Sequence, residues 1–256
     1  MDAKPQSDVP AHTRLTIPLE FASPLPTGAA KKAVDILGRR IVNDAYPPDT
    51  IMPTEAELAQ SLGVSRATVR DAVKVLSGKG LVRTARRYGT RVRAVEEWSL
   101  LDSDVVSWHA PDHPRIKRMF GETTELRTII EPAAAALAAI RATAAQIEVI
   151  SEAAQAMDPG QGDVQTLFSA DCRFHVTLLD ATHNDVMRQL AQIIVTMLRI
   201  SYEFGVLQID DKGVSREGHI AVANAIEARD PAGAEAAMTK MLDQNRRIAS
   251  GAWAKR

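Results

Sequence analysis

The residues from Pro53 to Val73, PTEAELAQSLGVSRATVRDAV, leave the chain little conformational choice. Thr54 followed three residues later by Glu57 is a capping box, two side chains reciprocally satisfying the first orphan N–H groups of a helix. That helix runs to about Leu62. Gly63 then permits a tight turn, and Ser65 caps a second helix over roughly 66–78 that buries Val69, Val73 and Leu76. Upstream, Ala33, Ile36, Leu37, Ile41 and Val42 form the apolar stripe of a helix from Gly28 to Asn43, stopped by Tyr46-Pro47-Pro48. Downstream, Leu81–Thr84 and Thr90–Arg93 read as two strands around Ala85–Gly89. The hairpin is basic, with Arg83, Arg86, Arg87 and Arg91. Three helices followed by a basic hairpin predict a winged helix-turn-helix over 28–94.

The rest of the chain reads differently. Residues 1–27 hold several prolines and little periodicity, which predicts a flexible tail. Residues 95–114 form a connector whose Trp98, Leu100, Leu101, Val105, Val106 and Trp108 are available to dock on a body. From 115 to 256 the pattern is helical, with spans at 115–141, 143–157, 163–181, 184–205, 215–229 and 231–250. Short breaks between them imply an antiparallel all-α bundle. Pro132 should kink the first span. The fold class expected is therefore mainly α. An aromatic content of only 4% agrees with helix packing rather than a β-sandwich.

Charge separates the two parts. The chain is nearly neutral at −1, yet residues 29–94 hold 13 Lys and Arg against 6 Asp and Glu, a local +7, which leaves −8 elsewhere. A basic module on an acidic remainder is the layout of a nucleic-acid-binding head on a sensing body. The single cysteine, Cys172, excludes an intrachain disulfide framework. The first residues lack the apolar core of a signal peptide, and Pro132–Ile140 is too short to span a bilayer, so a cytoplasmic protein without a membrane partner is expected.

In a helix-turn-helix the second helix enters the major groove of double-stranded DNA with its N-terminal turn leading. Ser65, Arg66, Thr68 and Arg70 lie in that region. Arginine suits bidentate contact with guanine; Ser65, Thr68 and Thr54 suit phosphates. The segment resembles the GntR superfamily of regulators, whose heads carry P-[ST]-E-x-E-L-A-x-x-x-G-V-S-R-x-T-V-R-x-A. The resemblance implies DNA contacts at Arg66 and Arg70, and at a wing tip of Arg87 and Gly89. This wing has Tyr88-Gly89 where relatives usually carry Gln-Gly or His-Gly.

Asp171 and His175 lie one turn apart on one helix face, and His219 starts a later helix. Two imidazoles and a carboxylate with open positions suit a divalent cation, Zn foremost, with Ni, Mn or Fe(II) as alternatives. A hydrogen bond or surface pair is the competing reading of Asp171 and His175. A metalloenzyme would need a base, nucleophile or cofactor loop beside the trio. None accompanies it, so an enzyme is not expected. Asp171-Cys172-Arg173-Phe174-His175 and Glu217-Gly218-His219 resemble the FCD effector domain of the FadR-type GntR subfamily. The likeness implies a metal-assisted pocket, with Met241 where metal-binding members commonly have a fourth histidine and Asn245 one turn on. It also implies that Arg127 clamps an effector carboxylate, for which an ion pair with Glu131 is the alternative. Trp98–Trp108, Glu131-Pro132-Ala133 and His183-Asn184 resemble sugar-acid regulators of that subfamily. Together these imply a homodimeric repressor released by a small carboxylate of the aldonate class. Regulation by lactate, another small carboxylate or metal is the alternative.

Overall fold

A computed structural model describes residues 15–18, 28–85, 87–110, 113–158, 163–205 and 216–254. The head begins with α1 (Gly28–Val42), whose buried stripe is Ala33, Val34, Leu37, Ile41 and Val42. Val34 takes the place expected for Ile36, which is only half-buried. The chain then enters α2 (Glu55–Leu62) through the capping box of Thr54 and Glu57. Gly63 closes α2 in the left-handed region at φ 64°. Only there does the turn demand a residue without Cβ strain. Ser65 caps α3 (Arg66–Gly78) by accepting the Thr68 N–H. Strands β1 (Val82–Ala85) and β2 (Gly89–Val92) pair antiparallel, with Val82 opposite Val92 and Arg83 opposite Arg91. Ile51 adds a bridge to Arg91, so the α1–α2 loop borders the wing. The described residues thus form the winged helix-turn-helix that the sequence predicts.

The connector is built onto the head. A 3-10 turn (Val95–Glu97) leads to α4 (Ser103–Trp108), which Asp102 caps by accepting the N–H groups of Asp104 and Val105. Trp98, Val105 and Trp108 are buried in the head core, and Val106 packs toward the body with Ile116 and Ile200. The apolar side chains reserved for the body thus divide between the two sides. Trp108 donates its indole N–H to Asp35 at 3.0 Å. Its ring lies against Gly38 so closely that a Cβ there would stand 2.4 Å from it. Asn43 brackets His109, donating to the Trp108 carbonyl and accepting the Ala110 N–H at 2.8 and 2.7 Å. Lys79 reaches Asp102 and Asp104 at 2.7 and 2.8 Å. Burial opposes its charge, but the two carboxylates outweigh burial and raise its pKa.

The body comprises α5 (Pro114–Arg141), α6 (Ala144–Ala156), α7 (Val164–Asp180), α8 (Asp185–Gln189), α9 (Ala191–Ile200), a π-helical turn (Ser201–Gly205), α10 (Arg216–Glu227) and α11 (Pro231–Ala254). Its core is rich in Ala, Leu and Ile, and α5 packs along α11, α7, α9 and α10. Pro132 lies within an unbroken α5. The single helix expected over 184–205 is instead broken at Leu190, where ψ falls to −10°. Residues Ile194–Ile200 are buried in succession, whereas α8 stays at the surface. The break lets α9 turn into the bundle. No helix among the described residues is long and apolar enough to cross a membrane. Leu15–Pro18, in the segment read as a tail, lies against the body with Leu15 in its core.

His109, where the connector meets α5, is buried. One ring nitrogen bonds the Val105 carbonyl at 2.9 Å, and Arg115 stands 3.4 Å from the other. Burial, aided by the nearby Arg115 and His113, pushes the imidazole down to about 4. The unfolded chain takes up this proton near pH 6.5, and the folded chain does so only near 4. Stability is therefore lost as the pH falls through that window, by roughly 3 kcal/mol. Urea unfolding at stepwise pH should show this loss in the native sequence and a flatter profile in His109→Gln.

Candidate DNA-reading surface and buried Asp–His centre

On the head, the candidate DNA-reading residues gather at the N-termini of α2 and α3. Thr54 and Ser65 are the two N-caps, their hydroxyls accepting the N–H groups of Glu57 and Thr68. Ser65 and Thr68 hydroxyls also meet at 2.8 Å. Arg66 is exposed on the first turn of α3. Arg70, one turn on, pairs with Glu55 of α2 at 2.8 Å, which ties the two helices together. Arg87 and Gly89 sit at the tip of the hairpin, both with positive φ, at 73° and 77°. Arg86 and the side chain of Asn245 lie outside the described residues. The surface thus offers two helix N-termini, exposed guanidinium groups and a basic tip, a combination suited to phosphates and base edges.

In the body, α5, α7 and α10 bring five ionisable groups into the core. Asp171 and His175 face inward from α7, and His219 meets them from α10. Asp171 Oδ1 lies 3.0 Å from His175 Nε2 and 3.2 Å from His219 Nε2. The face of α7 pairs the first two, and the packing of α10 on the bundle supplies the third. Phe174 wedges edge-on against both imidazoles, at 5.1 and 4.8 Å between ring centres. From α5, Glu131 stands 3.0 Å from His175 Nδ1, an ion-pair distance at an angle that is not a hydrogen bond's. Arg127 donates to both Glu131 oxygens at 2.6 and 3.2 Å, and the Nη2 that makes the second bond also lies 3.3 Å from His175 Nε2. Arg127 is only 6% exposed and Glu131 only 1%. Arg127 thus forms the ion pair with Glu131 that was the alternative reading, in the interior rather than at the surface, and it borders the trio.

The electrostatics follow from this packing. Burial disfavours every charge in the cluster, yet mutual attraction exceeds it. Arg127 and His175 lower Glu131 to about 2. The two histidines hold Asp171 far below the usual carboxylate range. Glu131 and Asp171 in turn raise His175 to about 9. Tyr202, from the π-helical turn, completes the surroundings. Burial and the neighbouring Asp171 carboxylate hold its hydroxyl protonated well above the usual tyrosine range. Among the described residues that buried hydroxyl has no partner at good hydrogen-bond geometry, Asp171 being its nearest charge.

The residues fit a divalent cation. Asp171, His175 and His219 offer donor atoms that all lie within 4.8 Å of one another. Tetrahedral Zn²⁺ with ligands at 2.0–2.1 Å would space them about 3.4 Å apart. The donor set, two imidazoles and a carboxylate, is borderline in softness and leaves coordination positions for other oxygens. Glu131 stands behind His175 Nδ1, at the position from which a carboxylate could orient a ligating imidazole. Met241, at the position expected for a fourth histidine, is buried in the apolar core.

Glu131 entered the sequence reading as the rival partner of Arg127 and within a short family likeness, not as a neighbour of the trio, and Tyr202 did not enter it at all. The four-residue spacing from Arg127 signals Glu131. Nothing local signals Tyr202, because a π-helical turn within an apolar run sets its direction.

Comparison with known proteins agrees with both halves. Residues 29–92 match the bacterial regulatory proteins of the gntR family, and residues 122–244 match the FCD domain. The galactonate operon transcriptional repressor of Escherichia coli is 31% identical over 220 residues, covering 85% of this chain and 95% of that protein. A putative L-lactate dehydrogenase operon regulatory protein of Escherichia coli is 32% identical, covering 75% of this chain and 74% of that protein. Among solved structures, that of Lar, described as controlling the expression of the Listeria monocytogenes agr system, covers 89% of this chain and 99% of its own. It has a TM-score of 0.63 at 18% identity and speaks for the fold alone. The chain belongs to the gntR family of bacterial regulatory proteins, carries an FCD domain, and is a DNA-binding transcription regulator rather than an enzyme.

Proposed function

We propose that this regulator is a cytoplasmic, homodimeric repressor whose FCD domain binds a small sugar acid of the aldonate class with the help of a divalent metal. The carrying observation is the buried Arg127 guanidinium, 3.3 Å from His175 Nε2 in the Asp171–His175–His219 cluster. A guanidinium beside a metal-competent trio suits a carboxylate flanked by hydroxyls. Asp171, His175 and His219 would hold Zn²⁺, or Ni²⁺, Mn²⁺ or Fe²⁺, which supplies Lewis-acid positions for ligand oxygens. Arg127 orients the carboxylate, in competition with Glu131. The Tyr202 hydroxyl, beside Asp171, is a further candidate donor to a ligand oxygen. Asn245 is a further candidate contact. The identity with the galactonate operon repressor supports the aldonate reading. The likeness to the putative L-lactate dehydrogenase operon regulator favours lactate as the second reading.

In the dimer, two α3 helices enter successive major grooves of a pseudopalindromic operator. Thr54, Ser65 and Thr68 position the head on phosphates. Arg66 and Arg70 reach base edges, and Arg87 and Gly89 carry the wing to the backbone or minor groove. Effector binding lowers operator affinity only if the effector prefers a body arrangement whose head spacing no longer fits. The connector, anchored to the head by Trp108 and to the body by Val106, transmits that difference.

Three outcomes are expected. Arg66→Ala weakens binding to the operator by about 1–3 kcal/mol if Arg66 reads a base. Unchanged affinity in an ionic-strength series removes it from the readout. His175→Ala loses stoichiometric Zn²⁺ by elemental analysis and keeps operator binding; retained metal removes His175 from the ligand set. Calorimetric titration of galactonate, gluconate and lactate, with Zn²⁺ present and after chelation, gives a metal-dependent heat for an aldonate. Heat from lactate alone selects the second reading, and silence from all three refutes both.

A further inference from the structure

We infer that the body carries a docking groove for an extended peptide, between the start of α7 and the 201–205 turn, and that its occupant is the chain's own segment Leu15–Pro18. Three independent contacts build the groove. The Gln165 side-chain amide brackets Thr16, accepting its N–H at 2.7 Å and donating to its carbonyl at 2.8 Å. A single amide group thereby reproduces both bonds of a β-ladder pair. Glu203 Oε1 accepts the Leu15 N–H at 3.0 Å. Arg199 holds that carboxylate in place at 2.8 Å, and both partners of this ion pair are themselves largely buried. The Leu15 side chain is 2% exposed within the core of the body, Thr16 points to solvent, and Ile17 packs back onto the core. Alternation in, out, in is that of an extended strand laid on an apolar surface.

The segment lies outside the matched regions, which begin at residue 29. Nine residues separate Pro18 from α1. A chain of that length spans at most about 35 Å, so docking of 15–18 ties the head to the body by a second route beside the connector. The groove also borders the buried centre in sequence, since Glu203 follows Tyr202. The inference does not depend on the identity of the effector or on a metal.

Hydrogen–deuterium exchange on the full-length protein, without added metal or effector, tests it. The Leu15 and Thr16 amides should exchange at least about tenfold more slowly than in an unstructured peptide of the same sequence. Gln165→Ala should abolish the Thr16 protection and leave α10 and α3 as protected as before. Leu15→Asp, which alters only the occupant, should release both amides. Unprotected amides in the native chain, or protection that survives both substitutions, would overturn the assignment. Protection lost on dilution to monomer would also overturn it, because the occupant would then be the partner subunit's segment.

Discussion

Asp171 accepts two imidazoles at one carboxylate oxygen in the interior of a helical bundle, and much of the body is arranged around that fact. An isolated buried carboxylate would not remain ionised. Here α7 supplies the charge and its first partner, α10 the second, and α5 the Arg127–Glu131 pair that balances them. Each helix thus enters the core with a fixed rotation about its axis, because a turn in either direction would strand a charge. Removing one member of such a cluster costs about 3–5 kcal/mol, whereas an apolar replacement of the whole would cost little. The cluster is therefore a weak stabilising device, which agrees with the ligand-binding role proposed for it.

The head handles charge in the opposite way. Its arginines lie at the surface, paired loosely or not buried at all, where ionic strength weakens them. Arg70 illustrates the compromise, since its bond to Glu55 braces α2 against α3 and would have to be shared or exchanged in the DNA contact proposed for it. The contrast matches the division of labour. Operator contacts need speed and reversibility, and a small-molecule pocket needs exclusion of water.

How much of this was legible in the sequence depended on how local the physics was. The Thr54–Glu57 capping box, the Gly63 turn and the Ser65 cap each involve residues within five of one another, and all formed as read. The Asp171–His175 spacing fixed a shared face with His219 as the candidate third member, and the family likeness added Arg127. What escaped depended on tertiary direction. The orientation of Tyr202 follows from a π-helical turn inside an apolar run. The break at Leu190 follows from the need to bury every side of α9. Trp98 and Trp108 read as generic docking residues, because a sequence shows that an indole will be buried but not by which neighbour. The grip of Gln165 on Thr16 joins residues far apart in the chain, and no spacing rule reaches that far.

The bare Cα of Gly38 beneath the Trp108 ring has a practical consequence. Helix α1 is shaped for an indole that arrives from outside the matched head, so the DNA-binding module does not end where its sequence signature ends. A graft of this head onto another sensor, cut after Val92, would expose a ring-sized apolar hollow on α1 and leave Asn43 without the two backbone groups it bonds. A graft that runs through Ala110 would carry its own lid. The useful seam for building hybrid regulators from this scaffold lies between the connector and α5.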